Sequence, residues 1–404
     1  MHFARNDSPT YRSIMNPVTR LSLLAPFALL GASTAFAQGG SIPSVVVTLE
    51  NVQPGRGIYL TPPWIGIHDG TFDTYDGGQP ASVPLGGNEI EALAEDGNNA
   101  PLTATFSALQ PNAPQREGVP GPFGPLGPRT RTSVTLQVDP SVDRYFSYAS
   151  MVIPSNDTFI ANGNPLAHQL FDASGQFVGQ DFVVSGDETN DAGTEVNDEI
   201  AANTAFLAQA APNTGTTESL PVMTPSPGFA APGTFAYPDG ILNYPVFANG
   251  DFNDDDDRLL RVRFRFVDLG GNVVFQTPLQ NQQEAQADEV DTGAVGMARA
   301  VSNGGSQLGL LALTQGLSGP LTAAHLHLGA PGTNGPVIAD LTASIMSGGM
   351  NVRGLVDASS LTGPLAGQSF LSLLNEMAAG NVYVNLHTAA FPAGELRGQL
   401  SLAD

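Results

Sequence analysis

Glycine and proline break this chain into short pieces. They supply 46 and 32 of its 404 residues. Glycine weakens a helix through its conformational freedom, and proline removes a backbone donor and clashes with the preceding turn. The run Gly118-Val-Pro-Gly-Pro-Phe-Gly-Pro-Leu-Gly-Pro128 can be neither helix nor central strand. Charged residues make up only 13% of the chain, about half the usual share, so the charged outer faces of a helical protein are missing. Hydrophobic residues reach 41%, enough for real cores. The expected fold class is all-β, with two β-sandwich-like domains and a few short helices.

The first 37 residues read as an export signal. Arg5, Arg12 and Arg20 form a basic leader, residues 21–30 are apolar, and Ala35-Phe36-Ala37 is a cleavage site of small residues. The apolar run is too short for a membrane anchor, and no membrane span is expected after cleavage. The expected address is secreted, extracellular or periplasmic, and the composition points to a bacterial source. Cysteine is absent and all 15 basic residues are arginine. Disulfides, the common staple of exported domains, therefore cannot contribute. A net charge of −23 disfavours nucleic acid and anionic lipid and favours cations as partners.

Local patterns predict the elements. Residues 45–49, 132–138 and 146–153 read as strands. Glu89–Asp96 reads as a helix stopped by Gly97, and 195–209 also has helical spacing. Residues 260–267 alternate most cleanly: Arg261, Arg263 and Arg265 on one face, Val262, Phe264 and Phe266 on the other. The arginine face is read as solvated and paired with the acids of 251–257. Further strands are expected near 307–313, 321–328 and 381–387, with a helix over 370–379 capped by Gly380.

Five blocks occur in order over residues 43–268: Leu60-Thr-Pro-Pro63, His68-Asp-Gly70, Leu93-Ala-Glu-Asp-Gly97, 150–159 and 191–199. This series resembles the spondin N-terminal domain. The resemblance implies an antiparallel sandwich with a structural calcium and a role in adhesion, and it places metal positions at Asp157, Asp191 and Thr194 or Glu195. Read by themselves, Asp157 and the loop carrying Asp187, Asp191 and Glu195 can supply the oxygens that calcium requires. Alternatively, Asp191 to Asp198 cap the helix expected after them. A second acidic run, Asp251-Phe-Asn-Asp-Asp-Asp-Asp257, begins like an EF-hand loop. It has Asp256 where glycine is needed and Val262 where glutamate is needed, so a surface turn is expected.

Residues 273–402 contain Ala323-Ala-His-Leu-His-Leu-Gly329, Gly380-Asn-Val-Tyr-Val-Asn-Leu-His-Thr388 and Gly394-Glu-Leu-Arg-Gly-Gln399. These blocks resemble the chordin-type (CHRD) domain, which implies a β-rich exported domain without known catalysis. His325 and His327 share one strand face, as do Tyr383, Asn385 and His387. Three imidazoles on neighbouring strands form a first shell for Zn2+ or Cu2+. The competing reading is a polar cluster that holds strand register. Glu395 and Arg397 are expected to pair or to brace a turn.

No G-x-S-x-G elbow, Walker loop or H-E-x-x-H helix occurs, and cysteine and lysine chemistries are excluded. The expected function is a secreted, non-enzymatic interaction or adhesion protein with an extracellular or cell-surface ligand. The alternative is a transition-metal protein built on the three histidines.

Overall fold

The computed structural model describes residues 40–122, 124–252, 256–286 and 290–403. The export segment 1–37 and the middle of the acidic turn at 251–257 lie outside the described residues.

The strand Pro43–Asn51 buries Val45, Val47 and Leu49 completely. It pairs antiparallel with Arg258–Asp268 on one side and Arg131–Gln137 on the other, and Phe182–Ser185 completes a four-stranded sheet. A second sheet is built around Tyr145–Ile153, flanked by Trp64–His68 and Thr158–Ala161, with Asn190–Asp191 at its edge. Val47, Leu49 and Val262 of the first sheet share one core with Ile65, Phe146 and Ile160 of the second. This is face-to-face sandwich packing.

Glu89–Asp96 is a helix ending at Gly97, whose φ of 64° forms the left-handed cap. A second helix, Ala100–Leu109, begins with proline in its first turn, where the missing amide costs nothing. Both pack on the second sheet over Trp64, Phe72 and Phe159. Trp64 and Phe106 meet edge-on at 5.1 Å.

Residues 273–402 form a nine-stranded antiparallel sheet. Its main order runs Val337–Asp340, Leu321–Leu328, Val382–Thr388, Leu396–Gln399, Val273–Gln280, Val295–Ser302, Gln307–Gln315, Val352–Asp357. A bridge between Ala339 and Leu361 draws the two edges together into a near-barrel. Its core holds Leu326, Val384 and Leu386 with Leu373 and Met377 of the helix Phe370–Ala378. That helix also touches the sandwich: Thr135 Oγ1 donates to the Asn375 carbonyl at 2.8 Å.

The second domain, expected to be sandwich-like, is instead one sheet curled into a near-barrel, because its strands pair in a single continuous ladder, and the helix expected at 195–209 changes too. Residues 195–209 are turns and bridges, not a helix. Glu199 sits at φ 49°, and its carboxylate accepts Ala230 N at 2.6 Å and Ile241 N at 2.8 Å. Glu195 bridges to Thr217, and Asp198 Oδ1 accepts Ile200 N at 2.9 Å. Such side-chain bonds to backbone compete directly with helix formation. No helix follows Asp191 to Asp198, so the capping alternative falls with it. The arginine stripe has partners in addition to the run 251–257, whose middle lies outside the described residues. Arg261 and Arg263 share Glu50 at 3.0 and 3.2 Å. Arg265 donates to the carbonyl of Ala403 at 2.7 Å.

Candidate metal centre

Leu321–Leu328 and Val382–Thr388 lie side by side, with His325 opposite Asn385, His327 opposite Tyr383 and Ala323 opposite His387. Leu326, Val384 and Leu386 point into the barrel core. The period-2 alternation therefore sends His325, His327, Tyr383, Asn385 and His387 to the outer face. That face is not solvated. Tyr383, Asn385, His387, Glu395 and Arg397 are all buried there, beneath the loops that follow the two strands.

The three imidazoles converge. One ligand nitrogen from each of His325, His327 and His387 lies within 4.8 Å of the others. Among the described residues, no other group of three metal-ligating side chains meets as closely. His327 Nδ1 lies 2.9 Å from the Gly335 carbonyl, and His387 Nδ1 lies 3.1 Å from the Pro392 carbonyl. A carbonyl only accepts, so both Nδ1 atoms carry hydrogen and both Nε2 atoms carry a bare lone pair. The Nε2 of His327 is buried and has no hydrogen-bond partner. His325 Nδ1 stands 3.0 Å from His387 Nε2, and its other nitrogen faces Asp340 Oδ1 at 3.8 Å. If the His325 proton moves to Nε2, beside Asp340, the third lone pair points at the other two. Carbonyl and carboxylate partners behind imidazole ligands are the usual means of fixing their tautomer and orientation.

Burial lowers the pKa of all three rings, that of His387 to about 4. They are neutral at pH 7, the form that binds metal. The donor set, three imidazole nitrogens, suits Zn2+ or Cu2+ and not a hard cation. The His325 side chain stays 21% exposed, which leaves the cluster reachable from solvent.

The supporting layer is stacked. His327 lies on the Tyr383 ring with centroids 4.8 Å apart and planes at 10°. The Arg397 guanidinium covers the same tyrosine at 3.6 Å. Arg397 donates to the Thr333 carbonyl at 2.7 Å. Glu395 accepts from Ser318 N, Ser318 Oγ and Thr388 Oγ1 at 2.8, 2.6 and 2.6 Å. These two residues brace separate turns and do not pair. Glu284, half-buried near Arg397 and Asn385, has its pKa pushed up to about 7 by desolvation. Sequence reading missed it, because nothing in its local run marks it as inward-facing.

The acidic positions gather in part. Asp157 Oδ2 accepts Thr194 N at 2.8 Å, Glu195 N at 3.1 Å and Thr194 Oγ1 at 3.4 Å. Asp191 borders the group and accepts Gly193 N at 2.8 Å. Asp187 is exposed and engaged within its own turn, accepting Ser185 Oγ at 2.6 Å. A member not foreseen is Glu95, buried at the end of its helix and bonded to Thr194. Burial first, reinforced by repulsion from neighbouring acids (Asp191 for Asp157, Glu91 and Asp96 for Glu95, Glu95 for Glu195), raises Asp157, Glu95 and Glu195 each to about 7.

A β-sandwich followed by a near-barrel with a buried polar layer places the chain in the all-β class. Residues 275–400 match the family model of the CHRD domain, a domain typical of extracellular proteins. The match does not extend to residues 43–268. No curated protein and no solved structure matches the chain. Among the described residues, no helix is long and apolar enough to cross a membrane.

Proposed function

We propose that this chain is an exported binding protein whose CHRD domain holds one transition-metal ion through His325, His327 and His387. The observation that carries this reading is the convergence of three neutral imidazoles, two with their tautomer set by a carbonyl. The role is interaction at a cell surface or in an extracellular matrix, with the metal centre as the organising element of the second domain. No catalytic step is assigned to it. Elemental analysis of the purified, dialysed mature protein should find close to one equivalent of zinc or copper. A protein that takes up no transition metal, even from buffer supplemented with zinc or copper, would remove the reading.

A second reading is a structural calcium in the spondin-like half, at Asp157, Asp191, Thr194 and Glu195 together with Glu95. It is favoured by two buried carboxylate oxygens without a hydrogen-bond partner, Asp157 Oδ1 and Glu195 Oε2. Oxygen donors of this kind are what a hard cation requires. Its pH signature follows from the raised acids. Unfolded carboxyls titrate near 4. The folded state therefore holds extra protons up to about pH 7, and stability falls as pH rises through that value. Five histidines of lowered pKa, His68, His168, His325, His327 and His387, are half-protonated in the unfolded chain near pH 6.5 and add stability as pH rises over the same interval, so the effect of the acids is read as a difference between variants. Between pH 6.5 and pH 8 the metal-free protein should lose stability relative to Asp157→Asn, and excess calcium should restore the loss in wild type but not in the variant. Parallel pH profiles for the two proteins, with no calcium response in either, would discard this reading.

A further inference from the structure

We propose that a trough between the sandwich and the CHRD domain binds an acidic oligosaccharide, a hydroxylated chain that carries two or more carboxylate or sulfate groups. Two clefts of about 410 and 430 Å3 adjoin there and share Pro122, Arg131 and Thr333 as lining residues. Each is within the size range of ligand pockets. Arg116 lines one cleft, Arg129 the other, and Arg131 both. In a lysine-free chain with 15 arginines and a net charge of −23, three arginines around one trough is a local reversal of sign.

The charge balance within the trough leaves the arginines available. Two carboxylates line it, Glu50 and Glu376. Glu50 is directly opposite Arg131 in the strand register, yet its carboxylate is held by Arg261 and Arg263 from the other neighbouring strand. Glu376 accepts Asn381 Nδ2 at 2.9 Å. Among the described residues, no carboxylate lies within ion-pair distance of Arg116, Arg129 or Arg131. Arg129 is also held at φ 62°, a left-handed conformation that costs a side-chain-bearing residue energy. Backbone bonds from Arg129 N to the Asn51 carbonyl at 2.9 Å and from Asn51 N to the Thr130 carbonyl at 3.0 Å impose it.

The wall chemistry selects the ligand class. Guanidinium forks match carboxylate and sulfate oxygens in pairs. Thr130, Thr132, Ser133 and Thr333 also line it; the hydroxyls of Thr130, Ser133 and Thr333 bond to Gly127, Thr48 and Ala330 and keep lone pairs that can accept from a polyhydroxylated ligand. The described lining offers charge and hydrogen bonds as its means of recognition. The overall negative charge discourages long polyanions, whereas a short segment seated in the trough meets mainly the three arginines. Because one wall comes from residues 116–134 and the other from 328–333 and 376–381, such a ligand would touch both halves of the protein.

Calorimetric titration of the mature protein with trigalacturonate at low salt tests this. Saturable binding is expected, weakened at least tenfold by Arg131→Gln and by Arg116→Gln, and unchanged by Arg353→Gln on a remote strand. If Arg131→Gln melts below wild type, Arg129→Gln on the exposed loop takes its place. Equally tight binding of neutral maltotriose would overturn the proposal, because charge would not be what is read. Inorganic sulfate binding as tightly as the trimer would reduce the site to an adventitious ion only. The absence of binding to wild type would overturn it outright.

Discussion

Replacing His387 with alanine should weaken transition-metal binding on the order of 100-fold or more, because it removes one of three ligands rather than an outer partner. His387 is the most buried of the three rings and faces His325 at 3.0 Å, so two donors remain without the nitrogen that joins them. The readout is competition against a chromophoric chelator. Thermal melting supplies a second one: a ligand at about 100 times its Kd adds roughly 2.7 kcal/mol to native-state stability, and that increment should vanish in the variant. Gly335→Ala probes the same centre from behind. A Cβ there would lie 1.7 Å from the Leu328 carbonyl, so the loop must shift and carry the Gly335 carbonyl away from His327. A loss of about 10- to 100-fold is expected, the range for outer partners of metal ligands. Wild-type affinity in His387→Ala would mean that the cluster is only a polar brace.

Arg397→Ala should be the most destabilising single change in the polar layer, by about 3–5 kcal/mol, in the range found when one partner of a buried charged set is removed. Arg397 is 1% exposed. Its loss exposes the face of Tyr383, strips the Thr333 carbonyl of its donor, and leaves half-buried Glu284 without the neighbouring positive charge that favours its ionised form. Arg397→Lys keeps the charge but not the flat contact with the ring or the forked donors, so an intermediate loss is expected. Denaturant unfolding of the metal-free protein measures both. Since Tyr383 carries His327 on its ring, Arg397→Ala should also loosen metal binding. A stability change below about 1 kcal/mol would show that the layer is relaxed enough to fill with water.

Much of this molecule is legible from local sequence. The alternation in residues 260–267, the glycine caps after Asp96 and near residue 380, and the β-branched run at 45–49 each act through short-range sterics and period-2 burial, and the strands and helices formed there are the expected ones. The pairing of His325 with His327 is equally local, since residues two apart on a strand share a face. The failures share one cause. Residues 195–209 carry helical spacing, but Glu195, Asp198 and Glu199 spend their hydrogen bonds on distant or adjacent backbone amides. Glu95 and Glu284 look like surface acids in the sequence, and Glu95 becomes buried and Glu284 half-buried only when other elements close over them.

The sequence by itself determined the β-rich class, the CHRD match over residues 275–400 and the residue types available to bind a metal. The tertiary structure decided which of them meet. Register across Leu321–Leu328 and Val382–Thr388 sets His387 opposite Ala323, one diagonal from His325, and two loop carbonyls then set which nitrogen of His327 and His387 is bare. Neither follows a local pattern: the pairing joins His325 to His387, 62 positions apart, the carbonyls come from irregular loops with no periodicity to mark their path, and the free energy that selects both comes from burying the whole sheet rather than from any one segment.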